Sequence, residues 1–241
     1  MIGGFARRLW RRPASGHNPR HVILLPRHGI AYVRVPKAAN SSVKAALALA
    51  FRLRSKVDAP VSQDRFWNHV AEGEALRLTP GRFVSGAYAA RCWTFTFVRH
   101  PVARLYSCWN NKVIENDSLS PAFERMGVRP GMSFADFVRA VEDTPDDRAD
   151  IHVCSQAAIL EFRGRLVADF VGRLETIDAD WARISDEIEA RTGVALGPMR
   201  RRNVRGMAMP GIAEDLPDDV LERIARRYER DFALFYPQDG A

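Results

Sequence analysis

Lysine is scarce in this sequence. Only Lys37, Lys44, Lys56 and Lys112 occur, and arginine supplies the rest of the 36 basic residues. Cysteine is scarcer still: Cys92, Cys108 and Cys154 form an odd set without metal-ligand spacing. A disulfide framework and a cysteine-held metal are therefore not expected, and a reducing, cytoplasmic compartment is the simplest inference. No apolar run reaches the roughly 20 residues needed to span a bilayer. Residues 1–20 are basic and short of apolar side chains, unlike a signal peptide or a membrane anchor. They read as a solvated basic tail, making at most peripheral membrane contact through Arg7, Arg8, Arg11 and Arg12 around Trp10. Glycine is missing from Pro36–Lys44, PKAANSSVK, which otherwise looks built for a phosphate. That absence excludes the G-x-x-x-x-G-K-[ST] loop.

What is present describes a globular chain. The 241 residues are 46% hydrophobic and 27% charged, enough for one well-packed domain over residues 21–241. The formal net charge of +7 points to anionic partners. The chain is organised around Ala31–Ala50, AYVRVPKAANSSVKAALALA. Tyr32, Val33 and Val35 read as a strand that Pro36 ends. Asn40, Ser41 and Ser42 are helix-capping types, and an apolar, alanine-rich helix follows. Helix starts present unpaired N–H groups and partial positive charge. With Lys37, Lys44 and two hydroxyls at the same place, the turn suits an anion. An ordinary strand-to-helix turn with polar caps has the same outward pattern.

A second such turn lies in Cys92–Val113, CWTFTFVRHPVARLYSCWNNKV. Trp93–Val98 reads as a buried strand ended by Arg99. Pro101 opens a helix whose apolar stripe is Leu105, Cys108 and Trp109, with Ser107 two turns in. Arg99 and Arg104 either serve a second anion or pair with surface carboxylates. Further on, 133–141, 150–162, 178–191 and 217–232 read as helices, and 167–172 as a strand. The segment 55–82 reads as irregular, with at most a short helix over 69–78, and 196–212 as a loop. Strands alternating with helices imply a parallel sheet covered on both faces.

Together the two turns resemble the nucleotide-binding motifs of sulfotransferases that use 3′-phosphoadenosine-5′-phosphosulfate (PAPS). They are most similar to the carbohydrate enzymes of the type-2 domain family, the heparan 2-O, chondroitin and HNK-1 kinds. PKAANSSVK resembles the 5′-phosphosulfate motif, and FVRHPVARLYSCW the 3′-phosphate motif. IHVCSQAAIL, ADFVGRLETIDADW and the Y-x-x-D-F-x-x-F pattern in RIARRYERDFALFYP extend the likeness to about Pro237. The resemblance implies an α/β, P-loop-like three-layer core with a central parallel sheet flanked by helices. It implies transfer of a sulfuryl group from PAPS to a hydroxyl of a carbohydrate or glycoconjugate, releasing 3′-phosphoadenosine-5′-phosphate (PAP), with no metal. Pro36, Lys37, Ala38, Ala39, Asn40, Ser41 and Ser42 would hold the 5′-phosphate, and Lys37 would stabilise the leaving group. Arg99 and Ser107 would hold the 3′-phosphate, helped by Arg205 and Gly206.

The general base is the open position. The heparan 2-O enzymes carry a histidine where this chain reads Ser85–Gly86–Ala87. His69, His152, Glu72 and Glu115 are the candidates. His152 is favoured because its segment resembles the family and because a helix start would keep it neutral. Two other readings are a nucleotide-dependent transferase or kinase on a similar core, and a basic nucleic-acid-binding module. The first lacks the G-K-[ST] loop and an evident Mg²⁺-binding carboxylate set. The second lacks any nucleic-acid fold motif, so no specific nucleic-acid partner is expected.

Overall fold

The computed structural model describes residues 21–71, 73–199 and 216–237; residues 1–20 and the pair Arg205–Gly206 lie outside them. The strands are β1 (Val22–Leu25), β2 (Ile30–Val33), β3 (Leu76–Leu78), β4 (Trp93–Val98), β5 (Glu161–Phe162), β6 (Arg165–Leu166) and β7 (Phe170–Arg173). Five of them form the central sheet in the order β3-β1-β2-β4-β7, and β5 and β6 form a separate two-stranded ribbon. β2, β4 and β7 are parallel, with Ile30 opposite Trp93 and Phe95 opposite Phe170. β1 is antiparallel to both of its neighbours, β2 and β3. One reversed strand therefore sits in a sheet whose other four strands share a direction.

Successive residues of a strand point to opposite faces. Every residue of β1 and β2 is nonetheless buried. Both faces of the sheet centre are thus covered, which is the expected three-layer α/β core. The helices are α1 (Asn40–Ala50), α2 (Asp64–Asn68), α3 (Pro80–Ser85), α4 (Pro101–Trp109), α5 (Pro121–Arg125), α6 (Phe134–Glu142), α7 (Gln156–Leu160), α8 (Ile177–Thr192), α9 (Asp218–Arg227) and α10 (Glu229–Phe235). α8 packs on β7, and α6 packs on α9. No described helix is long and apolar enough to cross a membrane.

Local chemistry explains most boundaries. The Ser133 hydroxyl accepts from the Asp136 N–H at 3.2 Å and donates to the Asp136 carboxylate at 2.7 Å, starting α6. Gly193, at φ 70°, closes α8 in the left-handed conformation that glycine adopts without steric cost. Four expectations need correction. The apolar run of β1 pairs as a strand that the sequence reading leaves unassigned. Among the described residues of 69–78 there is no helix: Gly73 turns the chain at φ 87°, and Leu76–Leu78 pairs with β1, after a short helix at Asp64–Asn68. Within 150–162 the helix covers only Gln156–Leu160, because Ser155 caps it at its own hydroxyl; residues 151–154 form turns and Glu161 already begins a strand. The final helix is two helices, broken at Tyr228 with φ −115° and ψ 23°.

Gly172 of β7 marks where the sheet is most tightly covered. A Cβ there would lie 2.7 Å from Phe97 Cε1 and 3.2 Å from Asp180 Cβ. Phe97 is fully buried. We predict that Gly172→Ala destabilises the fold by about 1–3 kcal/mol, the usual cost of overpacking, read as a lower urea midpoint at unchanged m-value.

Candidate active site

β2, β4 and β7 run parallel, so their carboxyl ends share one edge of the sheet. In open α/β sheets that edge is where ligands bind. Here it carries three segments: the loop 34–39 between β2 and α1, Arg99–His100 between β4 and α4, and the single turn Leu174–Thr176 between β7 and α8.

The first loop has an unusual backbone. Lys37 and Ala39 take φ 67° and 53°, both left-handed, and neither is glycine. Such conformations cost about 1–3 kcal/mol each and persist where the surroundings enforce them. Ala38 between them is fully buried. Ala39 is the N-cap of α1, with no side-chain hydrogen bond to the helix. The expected capping by Asn40, Ser41 or Ser42 is therefore not the arrangement found. Among the described residues, the main-chain N–H groups of Ala39, Asn40 and Ser41 make no hydrogen bond. They are left at a helix N-terminus, where an anion is favoured.

Arg99 stands at the end of β4 and is 4% exposed. Its backbone is clasped by one side chain: its N–H donates to Gln156 Oε1, and its carbonyl accepts from Gln156 Nε2, both at 2.9 Å. Gln156 is held in turn by Asp231 of α10, whose two carboxylate oxygens accept the Gln156 and Ala157 N–H groups at 2.9 and 2.7 Å. Burial lowers the pKa of Arg99, while Glu175 and Tyr236 act to raise it. Glu175 accepts from the His100 N–H at 2.8 Å and from the Tyr236 hydroxyl at 2.9 Å. Ser107 lies half-buried on α4, two turns beyond Arg99.

After α4 the helix widens into a π-helical turn, Asn110–Ile114, a departure frequent at functional sites. It brings Asn111 Oδ1 to 3.1 Å from Lys37 Nζ, as acceptor. Burial lowers the pKa of Lys37 below its ordinary value, and Lys112 and Arg99 add to that against Cys108 and Glu115. Beside the turn is a cavity of about 200 Å³ whose wall includes Lys112, Asn116, Ser118, Ser120, Asp150 and His152. The His152 ring lies 2.7 Å from Asp150 Oδ1 through Nδ1. Burial lowers its pKa; Asp150 opposes this, and Lys112 and Lys37 reinforce it. The imidazole is therefore neutral at pH 7 and able to accept a proton.

The Sulfotransferase family model matches residues 20–237, which takes in every segment just described. The chain belongs to the sulfotransferase family. It is 26% identical to carbohydrate sulfotransferase 14 of Homo sapiens over 258 aligned positions, covering 97% of this chain and 65% of that protein. It is 25% identical to carbohydrate sulfotransferase 14 of Danio rerio, over 90% of this chain and 62% of that one. For carbohydrate sulfotransferase 12 of Mus musculus the identity is 24%, over 90% and 60%. The chain thus spans a little under two thirds of the length of these relatives. No solved structure matches it.

Of the residues expected to form the site, the structure gathers Lys37, the 36–42 loop, Arg99 and His152 around the carboxyl edge of the sheet. His69 is elsewhere: it follows α2, which packs on the edge strand β3, and its exposed ring bonds the Arg65 carbonyl at 2.8 Å. Lys44 does not serve the loop. Its Nζ donates to the Ser62 carbonyl at 2.6 Å and meets Asp64 at 3.4 Å, and burial draws its pKa to about 8. Glu115 accepts from the amides of Asn110 and Asn111 at 3.0 and 3.1 Å. Glu72, Arg205 and Gly206 lie outside the described residues. Among the described residues Arg104 pairs with no surface carboxylate; its guanidinium binds main-chain carbonyls in the interior. His152 stands in a turn, not at a helix start, so its lowered pKa comes from burial and the two lysines.

Asn111, Lys112 and Asp150 are missing from the sequence-based site. A π-helical turn has no sequence signature, so the approach of Asn111 to Lys37 was not readable. Asp150, two residues before His152, was hidden by the helix expected there, which would have pointed the two side chains apart. The Gln156 clasp yields a direct test. Gln156→Ala leaves two buried main-chain groups of Arg99 unpaired, each costing about 1–3 kcal/mol. We predict a clear drop in the urea midpoint, larger than for Ala158→Gly on the exposed side of α7.

Proposed function

We propose that this chain catalyses transfer of a sulfuryl group from PAPS to a hydroxyl of a carbohydrate or glycoconjugate, releasing PAP. Family membership and the carbohydrate sulfotransferase names of the relatives support the reaction class. The observation that carries the reading is the pairing of two cationic strand ends: the open N–H groups of the Lys37 loop after β2, and Arg99 after β4. A bisphosphorylated nucleotide supplies one anionic group for each, and the donor set fits it without a metal ligand. The nucleotide brings the sulfuryl group. The chain's own residues bind, orient and move protons.

In this reading the N–H groups of Ala39, Asn40 and Ser41, with the Ser41 and Ser42 hydroxyls, hold the 5′-phosphate. Arg99 and Ser107 hold the 3′-phosphate, the guanidinium offering a fork of donors that matches phosphate oxygens. Lys37 stabilises the charge that builds on the leaving oxygen, an interaction strongest in the transition state. His152 takes the proton of the attacking hydroxyl. The cavity between the π-helical turn and His152 receives the acceptor, and its hydroxyl and amide lining suits a sugar.

Calorimetry tests the donor. PAP should bind about 10–100-fold more tightly than AMP, the worth of one charged hydrogen-bonding group, and Arg99→Ala should abolish that difference. Equal affinities in the wild-type chain would remove the reading. Kinetics test the chemistry. Lys37→Ala should lower kcat by about 10²–10³-fold, and His152→Ala by about 10²–10⁴-fold, both with PAP affinity retained. Because burial lowers the His152 pKa, the acid limb of kcat should lie at lower pH than that of an ordinary histidine. An acid limb at or above the ordinary histidine range would assign the base elsewhere.

A further inference from the structure

His152 has a partner whose role the reaction scheme above does not use. Asp150 is 5% exposed and carries three hydrogen bonds on its carboxylate. Oδ1 accepts from the His152 main-chain N–H at 2.9 Å and faces Nδ1 of the ring at 2.7 Å. Oδ2 accepts from the Ser120 hydroxyl at 2.7 Å. Ser120 is itself fixed, because its oxygen accepts from the Phe123 N–H at 3.2 Å and caps α5. The carboxylate is thus held on one side by its own turn and on the other by a helix start. The His152 side chain stays 30% exposed and lines the cavity beside Lys112.

We propose that Asp150 is a positioning residue that holds the His152 ring with Nδ1 as hydrogen-bond donor, so that Nε2 presents its lone pair to the acceptor hydroxyl. The inference rests on the reading of His152 as general base. Its first support is an acceptor–donor argument. Burial works to raise the Asp150 pKa, but the bonds from His152 and Ser120 bring it down to about 2. An ionised carboxylate has only acceptors. The neutral ring has one N–H, and the 2.7 Å contact requires that it sit on Nδ1. Rotating the ring to offer the other nitrogen would leave the carboxylate short of a donor in a buried place. The second support is economy of motion. The same oxygen that orients the ring also binds the backbone of the residue that carries it, so ring and main chain are fixed together.

The charges around the ring divide the work. Asp150 favours the imidazolium that forms as the proton arrives, while Lys112 and Lys37 oppose it beforehand. A base tuned this way is empty before reaction and stabilised after it. Replacing this carboxylate by its amide keeps the shape and the acceptor for Nδ1–H but removes the charge that favours the imidazolium.

The experiment uses the full chain in four forms: wild type, Asp150→Asn, Ser120→Ala and His152→Ala. Long-range 1H–15N correlation of the wild-type protein at neutral pH, with the His152 signal assigned by its loss in His152→Ala, should show protonated Nδ1 and bare Nε2. A wild-type ring protonated on Nε2 would overturn the proposal without recourse to any variant. In Asp150→Asn the amide oxygen can still accept from the His152 main-chain N–H and from Nδ1–H, so the tautomer should persist and the change should appear in kcat and in the acid limb of this variant. Its kcat should fall by about 10–10²-fold, a part of what a general base supplies, with KM for the acceptor and PAP affinity unchanged. Its acid limb should shift to lower pH, because the carboxylate charge that favours the imidazolium is gone. Ser120→Ala keeps the carboxylate and should retain most of kcat and the wild-type tautomer. An Asp150→Asn protein with wild-type kcat and pH profile overturns the positioning role while His152→Ala still reports on the base. If His152→Ala keeps its kcat, the reading of His152 as base fails, and the tautomer measurement alone then decides what Asp150 does to the ring.

Discussion

One buried guanidinium fastens the site together. Arg104 of α4 is 2% exposed. Its Nε donates to the Pro36 carbonyl at 3.0 Å and its Nη1 to the Cys154 carbonyl at 2.8 Å. Pro36 opens the loop that carries Lys37, and Cys154 lies two residues beyond His152. A planar fork with fixed donor directions thus sets the distance between the loop on one side of α4 and the turn on the other. Tyr228 adds to the same turn by donating to the Val153 carbonyl at 2.8 Å, and Asp146 accepts from the Ser155 N–H at 2.9 Å. The turn holding His152 has little regular secondary structure of its own, and these side chains take the place of it.

The arrangement concentrates positive charge in the interior, and the fold answers with buried carboxylates. Asp150 and Asp231 are buried while Glu175 is exposed, and each accepts at least two hydrogen bonds. Among the described residues neither Asp150 nor Asp231 pairs with a surface lysine or arginine, so salt should screen them weakly compared with exposed pairs. Asp150 has its pKa lowered to about 2. Its ionised form therefore supports the folded state above the range where a free aspartate titrates, and that support disappears as pH falls toward 2. For Asp150 and Asp231 the cost of burial is met in part by main-chain donors, which cannot leave the site as a flexible side chain can.

Legibility from sequence followed how local the determinant was. β4 is readable residue for residue, because Trp93–Val98 is a short apolar run bounded by Arg99 and Pro101. α8 is readable from its period and from Gly193. The two strand-to-helix turns and their cationic residues are readable because residue type and spacing carry them. What escaped depends on contacts distant in the chain. Leu76–Leu78 is a strand only because β1 lies beside it. The 150–162 segment has helix-forming composition, yet Asp150, Asp146 and Arg104 claim its first turns for other bonds. The break at Tyr228 sits where its hydroxyl reaches Val153. The Lys37–Asn111 contact needs a π-helical turn, and that turn follows from packing and not from residue preference.

The loop at Lys37 and Ala39 achieves left-handed geometry without glycine, and this affects more than its shape. A glycine loop is floppy until a ligand orders it, and the ordering entropy is lost at the moment of binding. Here the side chains forbid most alternatives in advance. Ala38 is walled into the core, and Pro36 is fixed both by its ring and by Arg104. An anion binding there would meet a loop already ordered, its conformational freedom surrendered when the chain folded. Such a site exchanges adaptability for readiness: it has few shapes to offer, and so discriminates sharply between ligands that fit the one it holds and ligands that would need it to move.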